Sequence, residues 1–230
     1  NYLILTTMKN LIWILIILNL SITINAQHLA RLDKTILEMN YRGSLDYLGK
    51  KINLNQVKGS PYLNANFEKG YIVLNELKDT LQTRLRYNIY SDEIEVKVDS
   101  TNAISALKKA NDIACHFSNK DFVYIENSGY FQLLSLGKAT LYLQYKSEFQ
   151  DAQPGLKPPM QEEIPAKFTT KKTYFIFLDG VMNEVPFMKS KFYRIFGELE
   201  EKIKQYVDDQ KLKFSNEGDL IKIVAYYNSL

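Results

Sequence analysis

The chain has 230 residues, of which 46% are hydrophobic and 24% are charged, with only 10 Gly and 6 Pro. This composition is typical of a globular chain and excludes a disordered one. The net charge of +3 comes from 29 basic and 26 acidic residues. Because these charges nearly balance, a nucleic acid partner is not expected. One Cys excludes an internal disulfide and any metal site with two thiolates, and with only two His the sequence predicts no metal and no other cofactor.

The first 26 residues are typical of an export signal. Lys9 is their single charge, and the apolar run 11–18 follows it. Because a membrane span needs about 20 apolar residues, we expect this shorter run to belong to a signal peptide that begins at Met8 and is cleaved after Ala26. Residues 1–7 are then upstream sequence. The alternative is an uncleaved anchor helix, since Ile24 is large for its place before the cut.

The predicted mature chain, residues 27–230, has no second apolar stretch that could span a membrane. Its only thiol, Cys115, lies far from the cleavage site, so no cysteine is placed to carry a bacterial lipid anchor. We therefore expect a periplasmic or secreted protein. We also expect a single domain, with a sheet mainly within 71–186 and helices within 190–228.

Two neighbouring segments alternate strictly between apolar and polar residues. Such alternation predicts half-buried strands, and a tight turn at 91–92 joins them in an antiparallel hairpin with one solvent-exposed face. On that outer face Arg84 and Arg86 oppose Glu93 and Glu95, which is worth about 0.2–1 kcal/mol per cross-strand pair. The inward residues are Leu85, Tyr87, Ile89, Ile94, Val96 and Val98.

Further strands are predicted at short spacing, separated by turn residues. Segments 71–74 and 81–83 begin the sheet, and Asp179-Gly180 is a strong hairpin signal because Gly readily takes the positive φ that a two-residue turn demands. With no helical pattern between them, the strands predict an antiparallel meander. The others cover 113–117, 122–126, 130–136, 139–146, 173–178 and 181–185.

Residues 150–166 break the strand pattern, since four of the six prolines fall there and Pro cannot donate to a ladder. We expect a long exposed loop, which is either functional or merely variable in length. Beyond it, apolar residues recur at helical spacing within 190–207 and again within 217–227. Each apolar stripe either docks on the sheet or remains exposed as a surface for a partner.

The predicted fold class is therefore α+β. We expect a curved antiparallel β-meander of about eight to ten strands, partly barrel-like, with two C-terminal amphipathic helices packed on it. Residues 27–70 are the least clear part, because apolar residues there suggest a helix while Gly and Pro interrupt it.

The side chains that could take part in catalysis form no catalytic pattern. Cys115 and His116 are adjacent, but neighbours on a strand point to opposite faces, so we expect a buried structural Cys. Two carboxylate pairs could converge as in a hydrolase: Asp179 with Glu184, and Glu126 with Asp121. Nothing selects these acids over the others, and we expect a protein that is not an enzyme.

Five tyrosines on predicted strands are the candidate contacts for a ligand or partner. Tyr can stack on a sugar or peptide and donate a hydrogen bond, but it is also a favoured strand residue that fills a half-buried face. Both interpretations stay open. The candidates are Tyr124, Tyr130, Tyr142, Tyr145 and Tyr174.

Two groups of segments carry a family resemblance: 85–90 with 92–95, and 217–222 with 226–228. From about residue 59 to the end, the chain resembles a family of exported proteins of Bacteroidota-type bacteria that has no assigned function. The resemblance implies export and a sheet that precedes the helices. It implies no catalytic residue, cofactor or substrate.

These observations favour a non-catalytic exported protein that binds another protein of the cell envelope. The alternative is a pocket-type binder of a small lipid, glycan or peptide, with the curved sheet as its wall. The alternative requires an apolar cavity of roughly 300 Å³ or more, whereas protein binding predicts a filled core and an exposed apolar patch. A carboxylate-based hydrolase is the third hypothesis.

Overall fold

The computed structural model describes residues 37–38, 46–47, 50–74, 79–97, 103–153 and 164–230. The predicted export signal, within 1–26, lies outside the described residues. So does the middle of the predicted loop 150–166.

The described residues form thirteen strands. They are β1 (Leu37–Glu38), β2 (Asp46–Tyr47), β3 (Lys50–Lys51), β4 (Glu68–Leu74), β5 (Asp79–Asn88), β6 (Glu93–Lys97), β7 (Ile104–Leu107), β8 (Ile113–Phe117), β9 (Lys120–Ile125), β10 (Gly129–Ser135), β11 (Thr140–Gln150), β12 (Lys167–Leu178) and β13 (Val181–Glu184). Eleven strands form one sheet in the order β1-β7-β6-β5-β4-β8-β9-β10-β11-β12-β13, and β2 pairs with β3. The sheet is open at both ends, so it is only partly barrel-like.

The sheet is antiparallel throughout, which confirms the α+β class together with the C-terminal helices. Its strands do not follow one another in a single run. Strands β4 to β7 extend to one side, and the chain then returns to place β8 against the other edge of β4. From β8 to β13 the order is again sequential, so the meander consists of two runs that meet at β4.

The hairpin of β5 and β6 has the predicted inward face, but four residues, 89–92, connect its strands instead of the two-residue turn predicted at 91–92. Leu85 lies opposite Val96, Tyr87 lies opposite Ile94, and all four side chains are buried. Arg86 also lies opposite Glu95, as predicted, and Arg84 lies opposite Lys97.

The outer face of this hairpin was predicted to be solvent-exposed, and that prediction is wrong for the part of the face around Asn88 and Glu95. Glu95 is only 2% exposed and Asn88 is fully buried. The segment before β4 covers them: Ile89 N–H donates to Pro61 O at 2.8 Å, and the Arg86 guanidinium lies 3.7 Å from the centre of the Tyr62 ring. Alternation along a strand cannot indicate whether a distant segment will cover the polar face.

The two longest strands exceed the predicted lengths. β11 and β12 pair without interruption from Thr140 with Phe177 to Gln150 with Lys167, so both extend to the ends of the Pro-rich segment. The four-residue strand β7 was not predicted. In the segment 27–70, for which the sequence suggested a helix, the described residues include short strands, the start of β4, irregular backbone and one 3-10 turn, Leu54–Gln56.

Two large hydrophobic cores lie on the sheet, and a small third cluster forms around Ile52 and Phe168 near the start of β12. The first spans the strands from β1 to β11 and is rich in aromatic residues, with Tyr87, Phe122 and Tyr130 at its centre. The second lies between the helices and the end of the sheet, where Leu141 and Ile176 pack against Phe192. Both C-terminal apolar stripes are thus covered by the sheet, which was the first of the two alternatives.

The helical region has three α-helices instead of two. They are α1 (Lys189–Arg194), α2 (Glu200–Asp209) and α3 (Glu217–Ser229), with a 3-10 turn at Gly197–Leu199. Gly197 takes a positive φ of 54°, which interrupts the first predicted helix. Asn216 caps α3 by accepting from Asp219 N–H at 3.1 Å. Among the described residues, no helix has the length and apolar character needed to cross a membrane.

Candidate functional site

Three of the five candidate tyrosines pack in the first core. The Tyr130 ring lies 5.4 Å from the Tyr124 ring and 6.0 Å from the Tyr87 ring, centre to centre, and Tyr145 lies 6.4 Å from Tyr87. Tyr130 and Tyr145 are buried, and the Tyr145 hydroxyl donates to the Gln132 side chain at 2.7 Å. These rings fill the space that a ligand on the curved sheet would need.

Tyr87 connects this aromatic cluster to the turn between β5 and β6. Its hydroxyl donates to Asp92 Oδ1 at 2.6 Å, and the same carboxylate accepts from Tyr130 N–H. Burial, followed by the charge of Asp92, raises the pKa of Tyr87 well above its ordinary value. Asp92 has a positive φ of 53°, which the turn imposes. The cluster therefore stabilises the contact between the β5–β6 hairpin and the β9–β10 hairpin.

The other two candidates lie elsewhere. Tyr142 points to the opposite face of β11, where it packs edge-on against Phe131 at 5.9 Å between ring centres. Tyr174 is half-buried between the two cores, and its hydroxyl donates to Glu217 Oε2 at 2.9 Å. The five tyrosines therefore do not share one surface, and their contact with a ligand or partner stays a prediction.

Cys115 and His116 lie on opposite faces of β8, as the strand geometry predicted. Cys115 is buried in the first core, and burial raises the pKa of its thiol. His116 lies outside, with Nδ1 2.7 Å from Asp121 Oδ1 and its ring stacked on Tyr71 at 4.9 Å between centres. The thiol and the imidazole therefore cannot act together.

The two carboxylate pairs are not brought together either. Asp179 precedes β13 and Glu184 ends it, while Asp121 lies near the start of β9 and Glu126 follows its end. The members of each pair therefore flank opposite ends of a strand, roughly 13 Å or more apart along it. Within the described residues, no group of three or more His, Cys, Asp or Glu side chains could hold a metal ion.

The most exposed large apolar residue, Phe187, lies between β13 and α1 and is followed by a second exposed one, Met188. Phe187 is 96% exposed and Met188 57%. The chain reaches this place through the predicted Asp179-Gly180 turn, where both residues have positive φ, and then through β13. We call residues 185–188 the apolar turn. It is a candidate interaction surface because large apolar side chains in contact with water favour coverage by a partner.

A groove of about 210 Å³ lies beside the apolar turn. Its wall opposite β12 is apolar, and Phe214 in that wall is held by stacking on Phe192 at 4.5 Å between ring centres. The β12 side is more polar. We call this depression the edge groove, and its principal lining residues are Lys171, Lys172, Tyr174, Pro186, Phe187 and Phe214.

Glu217 organises the polar side of the edge groove. Its carboxylate accepts from the Tyr174 hydroxyl and lies 3.8 Å from Lys172 Nζ. Partial burial and the bond to Glu217 together raise the pKa of Tyr174 to about 12, so the phenol is neutral at physiological pH. Lys171 has no ion pair among the described residues and presents its charge at the mouth of the groove.

Two further depressions lie near the other end of β12. One, of about 250 Å³, is lined by Ile52, Val57 and Phe149 among others. The other, of about 310 Å³, is formed by the single short segment 51–55. Neither carries an exposed aromatic residue comparable with Phe187.

Sequence reasoning did not identify the apolar turn or the edge groove. The available signal is that Phe187 and Met188 fall between the predicted strand 181–185 and the helical stripe that begins at Phe192, so neither periodic pattern buries them. Comparison of the chain with family models, with curated proteins and with solved structures finds no match.

Proposed function

We propose that this chain is an exported, non-catalytic protein that binds another protein of the cell envelope, in the periplasm or after secretion. The observation that carries the proposal is the apolar turn, with Phe187 96% exposed and Met188 57% exposed beside a groove. Aromatic residues and Met are enriched in the buried centres of protein interfaces, and single scattered apolar residues need no such explanation. Here two exposed apolar residues, Phe187 and Met188, are adjacent in the chain. Export rests on the signal predicted within 1–26.

The pocket-type alternative, a binder of a small lipid, glycan or peptide, has less support. Small-molecule pockets usually measure about 300–1,000 Å³. The edge groove is smaller, at about 210 Å³, and the depression of about 310 Å³ is formed by one short segment. The aromatic side chains of the first core occupy the curved face of the sheet. These features favour a protein surface as the ligand.

The experiment is affinity capture from gently solubilised envelopes of the native host, with the bound proteins identified by mass spectrometry. The bait is the chain from Gln27 onward, either wild type or with Phe187→Ser and Met188→Ser together. Leu136→Ser is the matched control, because Leu136 is 76% exposed and lies in the turn between β10 and β11.

We expect a stoichiometric partner that binds the wild-type chain and the Leu136→Ser control but not the double variant. Capture that is equal for all three baits would show that the apolar turn is not the interface. A chain that emerges alone would contradict protein binding, and native mass spectrometry for a retained small molecule would then test the pocket-type alternative.

A further inference from the structure

Within the described residues, other segments cover the outer edge of β12 at both ends but not in the middle. At one end Phe168 N–H donates to Lys58 O at 2.8 Å, and at the other Val185 N–H donates to Tyr174 O at 2.8 Å. The next residue, Pro186, has no N–H to continue the ladder, and the chain turns away there. Between these contacts, residues 169–173 pair with β11 on one side and with no strand of the described chain on the other.

The backbone groups at this open edge are defined by the register. Successive residues of an antiparallel strand direct their N–H and C=O groups alternately to the two sides. The backbone groups of Phe168 and Tyr174 form hydrogen bonds on the side away from β11, so those of Thr170 and Lys172 point to the same side. No hydrogen bond within the described residues engages the backbone of Thr170 or Lys172 on that side. Two donors and two acceptors, on residues about 7 Å apart along the strand, are therefore open with respect to the described part of the chain.

We propose that this edge of β12 binds an extended, acidic segment of the partner protein by strand addition. Open backbone donors and acceptors at this spacing fit an extended chain. The inference rests on the proposed function, because it specifies how a protein partner is held.

Charge favours an acidic segment over a second copy of this chain. Lys167 and Lys171 have no ion pair among the described residues, and Lys172 has only Glu217, at 3.8 Å. If two copies paired through this edge, these lysines would face lysines, and such like-charge contact is one way in which proteins prevent edge-to-edge association. Two acids lie at the β13 end of the groove, where Glu184 lines it and Glu217 contacts Tyr174 and Lys172, so the basic charge is concentrated on Lys167 and Lys171.

The edge groove gives the added strand an anchor. It lies directly beside Lys171 and Lys172, with Pro186, Phe187 and Phe214 as its apolar wall. A volume of about 210 Å³ is below the usual range for small molecules and suits one large apolar side chain. We therefore expect the bound segment to carry an apolar residue next to its acidic residues.

Amide hydrogen exchange, followed by NMR on the chain from Gln27 onward, tests whether the edge is open. Thr170 and Lys172 should exchange rapidly, whereas Thr169, Lys171 and Thr173, which point to β11, should be protected. Equal protection of all five amides in the free monomer would overturn the proposal, because the edge would already be covered. Light scattering gives the oligomeric state, and a dimer that Thr170→Pro abolishes would assign the edge to a second copy.

A phage-displayed library of random 12-residue peptides supplies the probe. We expect enriched peptides to combine Asp or Glu with an apolar residue, and to protect the Thr170 and Lys172 amides on binding. Thr170→Pro removes an outward N–H without removing a bond to β11, and should raise the dissociation constant about tenfold or more. Lys171→Glu should also weaken binding, whereas Lys109→Glu, an exposed control before β8, should not.

The outcomes separate this proposal from the function on which it rests. If envelope capture depends on Phe187 but no enriched peptide depends on Thr170, the partner binds the apolar turn without strand addition. If capture fails as well, protein binding itself is wrong. Should Thr170→Pro not fold, protection of the Thr170 and Lys172 amides by peptide in the wild-type chain decides the question, and its absence refutes strand addition.

Discussion

Replacing Arg86 tests the covered side of the β5–β6 hairpin. The Arg86 guanidinium lies between the Tyr62 and Phe67 rings, 3.7 Å and 4.3 Å from their centres. It donates to Ala65 O at 2.9 Å and through Nε to Glu95 Oε2 at 3.0 Å. Arg86→Met would remove the cation from all of these contacts and leave the buried Glu95 carboxylate without its arginine.

The magnitude follows from the burial of Glu95. An exposed cross-strand pair is worth about 0.2–1 kcal/mol, whereas removing one partner of a buried pair costs about 3–5 kcal/mol because the remaining charge is uncompensated. We expect the larger value for Arg86→Met, and a melting temperature lower by roughly 10 °C. Replacing both residues, as Arg86→Met with Glu95→Met, should recover much of the loss, since no buried charge then remains.

Urea denaturation followed by circular dichroism gives the free energy of unfolding of each variant. Arg84→Met is the matched control, because Arg84 is exposed two residues earlier on the same strand, and it should change that free energy by less than about 1 kcal/mol. The reasoning would be refuted if Arg86→Met unfolded within about 1 kcal/mol of the wild type. It would be refuted equally if the double variant were the least stable of the series.

Three further predictions concern burial and titration. Val96→Ala should lower the free energy of unfolding by about 2–4 kcal/mol in the same assay, and an unchanged midpoint would contradict its place in the first core. In the ultraviolet difference titration of wild type against Tyr174→Phe, Tyr174 should ionise near pH 12, and Glu217→Gln should lower that midpoint. Because the folded pKa is raised, the stabilisation from neutral Tyr174 should be complete below about pH 10 and lost as the pH rises towards 12. Cys115 should not react with Ellman's reagent in the folded chain and should react fully in urea, and rapid labelling without denaturant would contradict its burial.

Much of the local structure could be predicted because it depends on neighbouring residues. Alternation placed Leu85, Tyr87, Ile94 and Val96 on one buried face, and the structure confirms that face. Gly180 indicated the β12–β13 hairpin, since a tight turn needs a positive φ that Gly adopts readily.

The candidate site was not predictable in the same way, because it depends on where pairing stops. β12 has twelve residues and β13 only four, so the open edge at 169–173 exists because their lengths differ. The edge groove also needs Phe214, which follows α2 and is far along the chain from β12. No periodicity within β12 indicates either fact.

Periodicity, turn residues and helix caps thus specify the elements and the residues that face inward, since these preferences act over a few neighbouring residues. Which faces are covered is decided only when distant segments pack. The segment before β4 converts the polar face of the β5–β6 hairpin into a buried charge network at Arg86 and Glu95. The free energy of that arrangement comes from desolvation and contacts between residues remote in sequence, so it is a property of the assembled fold and not of any one strand.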